Sequence, residues 1–522
     1  MKPEELLREA TVNNVRKMVV SDINNTSAIL DCHRFAKEYP EKYPVQPVCG
    51  IDFRNGVQQK FIGIAKNHDG FFELNNFLTF CLQEVEKGLT ARAIKIPDRA
   101  PEFEEVFVVY PFASLPVDFI KEKPLSANEY IGIKPSDLNR LKFSSWKNYP
   151  DKLVVLAPVT FRNKIDFNAH RLLRAMDNNI VLSKLSIEEQ ASPDEIMMPE
   201  EALLSLYRDF PQIIYNTEKL LDECTIIDFE FGENKNKKHF LGSVAEDREK
   251  LVQLCEDGMT KRYTNADQKI RDRYKREIEV ISQKQFSSYF LINHDIIEFA
   301  RRKNFFYVGR GSGANSMVAY LLRITDVDPI ELDLYFERFI NPSRKNPPDF
   351  DIDFSSDERN EIIEHIFRKH GKSRTALLAT YSEMKDDSLL RELGKVFGLP
   401  KAEIDALQDY RNLQQAPDHI TQLIYQYKNV LKTFPAHLSI HAGGILIAEK
   451  PMAYYTAMSN PPKGFPLTQF SMQEAEDAGF AKFDILSQRG LGKMRDAVNI
   501  IQENQDKHID IHDVKKFMKD EA

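Results

Sequence analysis

The eight residues Pro347-Pro348-Asp349-Phe350-Asp351-Ile352-Asp353-Phe354 constrain this chain more than any other stretch. In an extended strand successive side chains point to opposite faces. Asp349, Asp351 and Asp353 then share one face, and Phe350, Ile352 and Phe354 share the other. The apolar face can pack in a core. The acidic face repels itself unless something positive stands between its carboxylates. Two readings follow. Either divalent metal neutralises the face, as where paired carboxylates hold Mg²⁺ for in-line phosphoryl transfer, or the strand is a solvated edge whose charges discourage aggregation.

The length of 522 residues corresponds to about three or four domain-sized units. Hydrophobic content of 42% beside 29% charged residues is that of a soluble globular protein with a substantial core. No apolar run is long enough for a membrane span, and the opening Met1-Lys2-Pro3-Glu4-Glu5 does not resemble a secretory signal. Cys32, Cys49, Cys81, Cys224 and Cys255 show no C-x-x-C spacing. They read as reduced core residues of a cytoplasmic protein. A net charge of −8 argues against indiscriminate nucleic-acid binding but leaves room for a local groove.

From Met1 to about Glu230, β-like runs (Lys17–Val20, Lys60–Ala65, Leu153–Ala157) alternate with amphipathic stretches. That alternation predicts an α/β domain with mostly parallel strands. The polar run from Phe229 to His239 reads as a linker. A basic, helical stretch follows, with Lys261, Arg262, Lys269, Arg271, Arg273, Lys275 and Arg276. By itself such a run is a solvated helix face, compensated by Asp267, Asp272 and Glu277.

Next comes Val308-Gly309-Arg310-Gly311-Ser312-Gly313-Ala314-Asn315-Ser316, ahead of the apolar Met317–Leu322. Alternating glycines let backbone turn tightly and approach a ligand. The following segment reads as a helix, whose free N–H groups and dipole would point at the loop. Ser312 adds a hydroxyl and Arg310 a fixed charge, a set suited to a triphosphate. No G-K-[ST] follows, so this is not a Walker A loop. The third piece, Ala481-Lys482-Phe483-Asp484-Ile485-Leu486, again sets Lys482 and Asp484 on one face and apolar residues on the other. Taken alone it is also the pattern of a plain ion pair. The order of the three pieces resembles that in polymerase-beta-like nucleotidyltransferases.

A longer block carries a more specific resemblance. Tyr289-Phe290-Leu291-Ile292 precedes the Gly-Ser loop; Ile324–Pro329 (ITDVDP) and Phe336–Pro342 (FERFINP) follow it; then come the aspartate strand, His441-Ala442-Gly443-Gly444, and Lys482-Phe483-Asp484. Over roughly residues 240–510 the chain resembles the alpha subunit of bacterial DNA polymerase III, the family C replicative polymerases. The resemblance implies a multidomain α/β and α+β architecture: a degenerate PHP-type, barrel-like domain at 1–230, a polymerase-beta-like palm at 231–382 and 438–510, a helical thumb at 383–437, and the start of the fingers at 511–522. It maps the catalytic, metal-binding carboxylates onto Asp351, Asp353 and Asp484, and the triphosphate motif onto Gly311 and Ser312. Arg310 and Lys482 join these as nucleotide contacts, with Arg344 and Lys345 as further candidates. Asp349 falls outside the trio and is expected either to support the metal ligands from behind or to be salt-bridged. The implied chemistry is DNA-directed addition of deoxynucleotides to a primer 3′-hydroxyl, with two Mg²⁺ ions in the palm. Implied partners are primer-template DNA, deoxynucleoside triphosphates, a sliding clamp, a clamp loader and a proofreading exonuclease, with no membrane. On this reading the basic helix contacts DNA phosphates.

Departures from the family pattern matter as well. Val20-Ser21-Asp22-Ile23-Asn24 stands where metal-binding members have Thr-Asp-His-Gly, so Ile23 replaces a histidine. Pro158 and Thr160 replace an acid and another histidine, and the opening His-x-His strand is absent. Asp22, Asp52 and His170 remain as donors, too few for the family's centre. The expectation is no metal and no phosphoesterase activity there, but a scaffold. The chain ends about 38 residues past Asp484, which reads as a fragment without fingers or clamp-binding region. Lys385-Asp386-Asp387-Ser388 is charged where the family is alanine-rich. His365, His370 and His441, the last ahead of a Gly-Gly turn, read as structural. The alternatives to an active polymerase are a catalytically silent DNA- or protein-binding scaffold and a smaller nucleotidyltransferase on the same palm.

Overall fold

A computed structural model describes residues 1–83, 95–115, 119, 123–341, 343–344, 346–407, 418–461, 463–513 and 516. Most of 511–522, together with Pro342 and Lys345, lies outside the described residues. The chain divides into two compact units. The first holds Met1–Phe229, Thr380–Ser439 and Ala453–Ser459; the second holds Glu230–Ala379, Ile440–Met452 and Asn460–Ala522. Among the described residues no helix is long and apolar enough to cross a membrane.

The first unit contains a six-stranded sheet in sequence order: β1 (Lys17–Ile23), β2 (Gln46–Asn55), β3 (Gln58–Ala65), β4 (Val106–Pro111), β5 (Glu129–Ile133) and β6 (Leu153–Val155). It is mixed. The β1–β2, β4–β5 and β5–β6 pairs are parallel, and β2–β3 and β3–β4 are antiparallel. The tight connection at Gly56 forces β2 and β3 antiparallel, whereas the Ser27–Glu38 helix lies in the crossover from β1 to β2 and the Leu138–Lys142 helix in that from β5 to β6. One face buries Val48, Ile62, Ile64, Phe107, Val109 and Val154 against Leu220.

Residues 380–439 pack with this unit through a separate core. Leu389, Leu390 and Leu393 of the Asp386–Phe397 helix and Ile424 and Leu431 of the His419–Leu431 helix close on Ala169, Leu172 and Ala175 of the Lys164–Asp177 helix. Full burial of each leucine contributes about 1.5–3 kcal/mol, which explains why these helices cluster with a segment 200 residues away in sequence. The charged start of the first helix is answered locally, with Lys428 and Lys432 reaching Asp386.

His33 in this unit is a buried imidazole. Its Nδ1 lies 2.9 Å from the Ile29 carbonyl and its Nε2 3.6 Å from Cys49 Sγ, and burial pushes its pKa down to about 4. A group that stays neutral when folded but takes a proton when unfolded stabilises fully above its unfolded pKa. That stability is lost as pH falls from about 6.5 toward 4, some ~2 kcal/mol by pH 5. Urea unfolding followed from pH 7 to 5 should show this slope, and a His33→Leu variant should flatten it. An unchanged slope in the variant would refute the assignment.

In the second unit the strands run in the order β12 (Leu467–Thr468), β9 (Thr375–Glu383), β10 (Pro435–Ile447), β13 (Phe483–Gln488), β8 (Asp351–Ser355), β7 (Tyr307–Arg310). The number between, β11, is the two-residue Met458–Ser459 of the first unit. Helices Val244–Arg262, Gln268–Gln283 and Ser287–Arg302 carry the preceding sequence, the last almost wholly buried. His365 and His370 lie on the Arg359–His370 helix, where His365 meets Asp295 at 2.8 Å.

Two expectations need correcting. The unit boundary does fall at Phe229/Glu230, but the polar run after it is packed, not a loose linker. Lys235 and Asn236 are buried, Lys237 N–H donates to Ile447, and the Asn236 side chain accepts the Ala481 N–H at 3.0 Å. Its polar side chains supply backbone partners that apolar ones would not. His441-Ala442-Gly443-Gly444 is strand, not turn: all four lie within β10.

Candidate functional site

Strand β8 behaves as its alternation demands. Ile352 and Phe354 are fully buried, while Asp351 and Asp353 face the other way. What makes a site is the register across the sheet. Asp484 of β13 pairs with Asp351 in parallel, Arg310 of β7 pairs with Asp351 in antiparallel, and Gly444 of β10 pairs with Asp484. Side chains at paired positions share a face. A row Gly444–Asp484–Asp351–Arg310 therefore crosses four strands, with Asp353 two residues further along.

Two cations neutralise part of this face. Arg310 donates from Nε to Asp353 at 2.9 Å and pairs with Asp351 at 3.4 Å. Lys482 pairs with Asp349 at 3.0 Å and with Asp484 more closely still. Four carboxylates thus face two cations, leaving an excess of two negative charges. Asp353 and Asp484 are both buried, and the Oδ1 atom of each lacks a hydrogen-bond partner. Buried carboxylate oxygens without partners are costly. Burial raises the Asp351 pKa above its ordinary range, against the pull of Arg310, with Asp484 adding to the rise. Burial also works against the Lys482 ammonium, but the hydrogen bond to Asp484 and the charge of Asp349 outweigh it and hold the lysine pKa up.

The donor set is hard oxygen, which suits Mg²⁺. The two charges in excess and the two orphaned oxygens also fit a divalent ion. Among the described residues no three His, Cys, Asp or Glu side chains are already gathered around one ion position; the carboxylates pair with Arg310 and Lys482 instead.

Backbone detail explains the glycines. Gly311 has φ +72°, and a Cβ there would lie 2.8 Å from an Asp351 carboxylate oxygen. A Cβ on Gly443 would fall 2.5 Å from Leu486 and 3.3 Å from Asp484. Gly311 is needed because the acidic row lies directly against it, and Gly443 chiefly because Leu486 does, with Asp484 close behind.

Of the expected site residues, Asp351, Asp353, Asp484, Arg310, Lys482 and Gly311 come together. Ser312 is next in the chain and exposed, its carbonyl accepting from Asn315. Arg344 instead braces its own loop, its Nε donating to the Asn346 carbonyl at 3.1 Å. Lys345 is outside the described residues. In the first unit, Asp52 is paired with Arg54 at 2.6 Å and His170 Nε2 accepts the Ala191 N–H at 3.0 Å.

The expected helix dipole at the loop is already engaged. The helix after the loop is only Met317–Leu321, and Glu277 occupies its start. The Glu277 carboxylate accepts from Met317 N–H at 3.0 Å, Val318 N–H at 3.1 Å and the Ser316 hydroxyl at 2.8 Å. Its fourth contact is Arg273, at 2.6 Å. Arg273 is thus a structural arginine, not a solvated cation. Lys269, Arg271, Lys275 and Arg276 of the same helix are exposed.

Sequence reasoning missed three supporting residues. Glu277 was read only as a compensating surface acid. Tyr289 was noted without a role; its buried phenol accepts the Phe350 N–H at 3.2 Å and its ring packs on Phe350 and Phe483. Arg359 ties β13 to β10 by donating to the Ile485 and Ala442 carbonyls. The only signal for any of them was their side-chain chemistry, because the backbone groups they hold lie 40 or more residues away.

Residues 249–487, which hold the whole row, match the family model described as the bacterial DNA polymerase III alpha NTPase domain. Over this span the chain belongs to the bacterial DNA polymerase III alpha family. It is 30% identical over 395 residues to DNA polymerase III subunit alpha of Bacillus subtilis (strain 168), covering 72% of this chain and 35% of that protein. It is 26% identical over 535 residues to the subunit of the same name from Ureaplasma parvum serovar 3, covering 98% and 51%. To the error-prone DNA polymerase of Symbiobacterium thermophilum it is 27% identical over 555 residues, covering 95% and 50%. The chain spans between about a third and a half of the length of these relatives.

Proposed function

We propose that this chain carries the nucleotidyl-transfer site of a DNA-directed DNA polymerase, extending a primer 3′-hydroxyl with deoxynucleoside triphosphates. The observation that supports this best is the registered row of Asp351 and Asp484 with Asp353 beside it, bearing two buried, unpartnered oxygens. On this reading residues 231–382 and 438–510 form a palm, 383–437 a thumb and 1–230 a PHP-like scaffold. Asp351, Asp353 and Asp484 would hold Mg²⁺, which when bound sharpens the attacking hydroxyl and neutralises the leaving pyrophosphate. The protein's own part is positional. Arg310 and Lys482 are cations already fixed at the acidic face, placed to meet triphosphate oxygens. Gly311 keeps the backbone close and free of a side chain. The buried floor of Ile352 and Phe354 holds the row rigid.

Incubation of the chain with primed template, Mg²⁺ and four deoxynucleotides should lengthen the primer. DNA binding without extension by the folded chain would favour a scaffold instead. We also assign the exposed side of the Gln268–Gln283 helix to phosphate contacts. Because Arg273 caps Glu277, the informative change is Lys269→Glu, Arg271→Glu and Lys275→Glu together. DNA affinity should fall tenfold or more, on the order expected for three lost phosphate contacts at low salt, with a shallower salt dependence in a binding titration. Unchanged affinity and slope would remove this helix from the interface.

A further inference from the structure

Lys482 lies between two acids of different character. Asp484 is buried, and its carboxylate carries an orphaned oxygen. Asp349 lies two residues before the start of β8, with its side chain 42% exposed. A divalent ion at Asp484 and the Lys482 ammonium compete for the same carboxylate, because like charges in one shell repel. When the ion binds, Lys482 must be held elsewhere or leave into solvent. The geometry points to Asp349 as the residue that holds it.

We propose that Asp349 is a positioning residue that retains Lys482 when a divalent cation takes Asp484, so that cation affinity is set partly through this lysine. Tyr289 fixes the distance between the two. Its phenol oxygen accepts the Phe350 N–H, next to Asp349, and donates to the Lys482 carbonyl at 3.4 Å, while its ring packs on both Phe350 and Phe483. The packed run at 235–237 adds to this by anchoring Ala481. Asp349 and Lys482 are thereby held together by backbone contacts independent of any ion. The acid that falls outside the trio has a task distinct from that of its neighbours: it binds the counter-ion, not the metal.

This inference rests on the reading that Asp351, Asp353 and Asp484 bind divalent cation. The test is direct Mn²⁺ binding, followed by electron paramagnetic resonance of the free ion, on the whole chain without DNA or nucleotide. Lys482→Gln should tighten Mn²⁺ binding about tenfold by removing the competing charge. Asp349→Asn should weaken it several-fold, and Asp349→Glu should restore it. In the Lys482→Gln background Asp349→Asn should have little further effect, since there is no lysine left to hold. An Asp349→Asn effect as large or larger in that background would overturn the proposal, because it would mean a through-space charge or a direct ligand. Failure of the underlying reading looks different: Asp351→Asn and Asp484→Asn would then leave Mn²⁺ binding unaltered. Thermal unfolding of each variant separates loss of binding from loss of fold.

Discussion

Asp351→Ala should reduce primer extension about a thousandfold or more, the order seen when a group acting on the metal and the reacting oxygens is deleted, while the protein stays folded. The choice of residue matters. Asp351 is the most exposed of the three registered acids, its side chain 30% accessible, and it shares Arg310 with Asp353. Removing it leaves Arg310 paired and buries no new unpaired charge. The corresponding change at Asp353 or Asp484 would leave a cation short of its closest partner in a buried setting. Extension rates at saturating nucleotide, with circular dichroism and DNA affinity measured alongside, give the answer. Loss of extension with retained binding supports the site; extension at the wild-type rate would sink it.

Glu277→Leu should be the most destabilising single change in the second unit. The carboxylate is fully buried and makes four contacts, to Arg273, the Ser316 hydroxyl and two N–H groups. Leucine leaves all four donors without an acceptor, and breaking a buried pair by removing one partner costs about 3–5 kcal/mol. Glu277→Gln keeps an acceptor oxygen and should cost less. Differential scanning calorimetry should show the transition of this unit moving down strongly for leucine and modestly for glutamine. Equal midpoints for leucine and wild type would mean that the loop is held by other contacts. The change should also loosen residues 311–316, since Ser316 and Met317 lose their anchor.

These two residues mark what the sequence made legible. Period two put Asp349, Asp351 and Asp353 on one face and Phe350, Ile352 and Phe354 on the other, but the choice of Asp351, Asp353 and Asp484 among the acids came from the family resemblance. The closeness of Arg310 followed from the Gly-rich loop beside it. The role of Glu277 was invisible because the loop donors it accepts from lie about 40 residues on, and with Arg273 and its other neighbours it makes a plausible solvated face. A salt bridge was one expectation for Asp349 and it is made, but its partner was out of view, since Lys482 lies 133 residues away. The packed run at 235–237 was misread for the same reason: polar residues signal a loop when their partners are out of view. The clustering of 380–439 with the first unit was likewise hidden, because helix amphipathicity shows that a face is buried but not against what.

Strand β8 lies between β7 and β13, and β13 follows it by about 130 residues of chain. At translation rates of about 5–20 residues per second, β8 waits on the order of ten seconds for its parallel neighbour. Through that interval it is an open sheet edge, the kind of surface that recruits wrong partners. Its Asp351 and Asp353 discourage such pairing through their mutual repulsion, and Arg310 on β7 is already present to moderate it. The repulsion that makes this face costly in the finished sheet thus opposes wrong pairing while the chain is still being made.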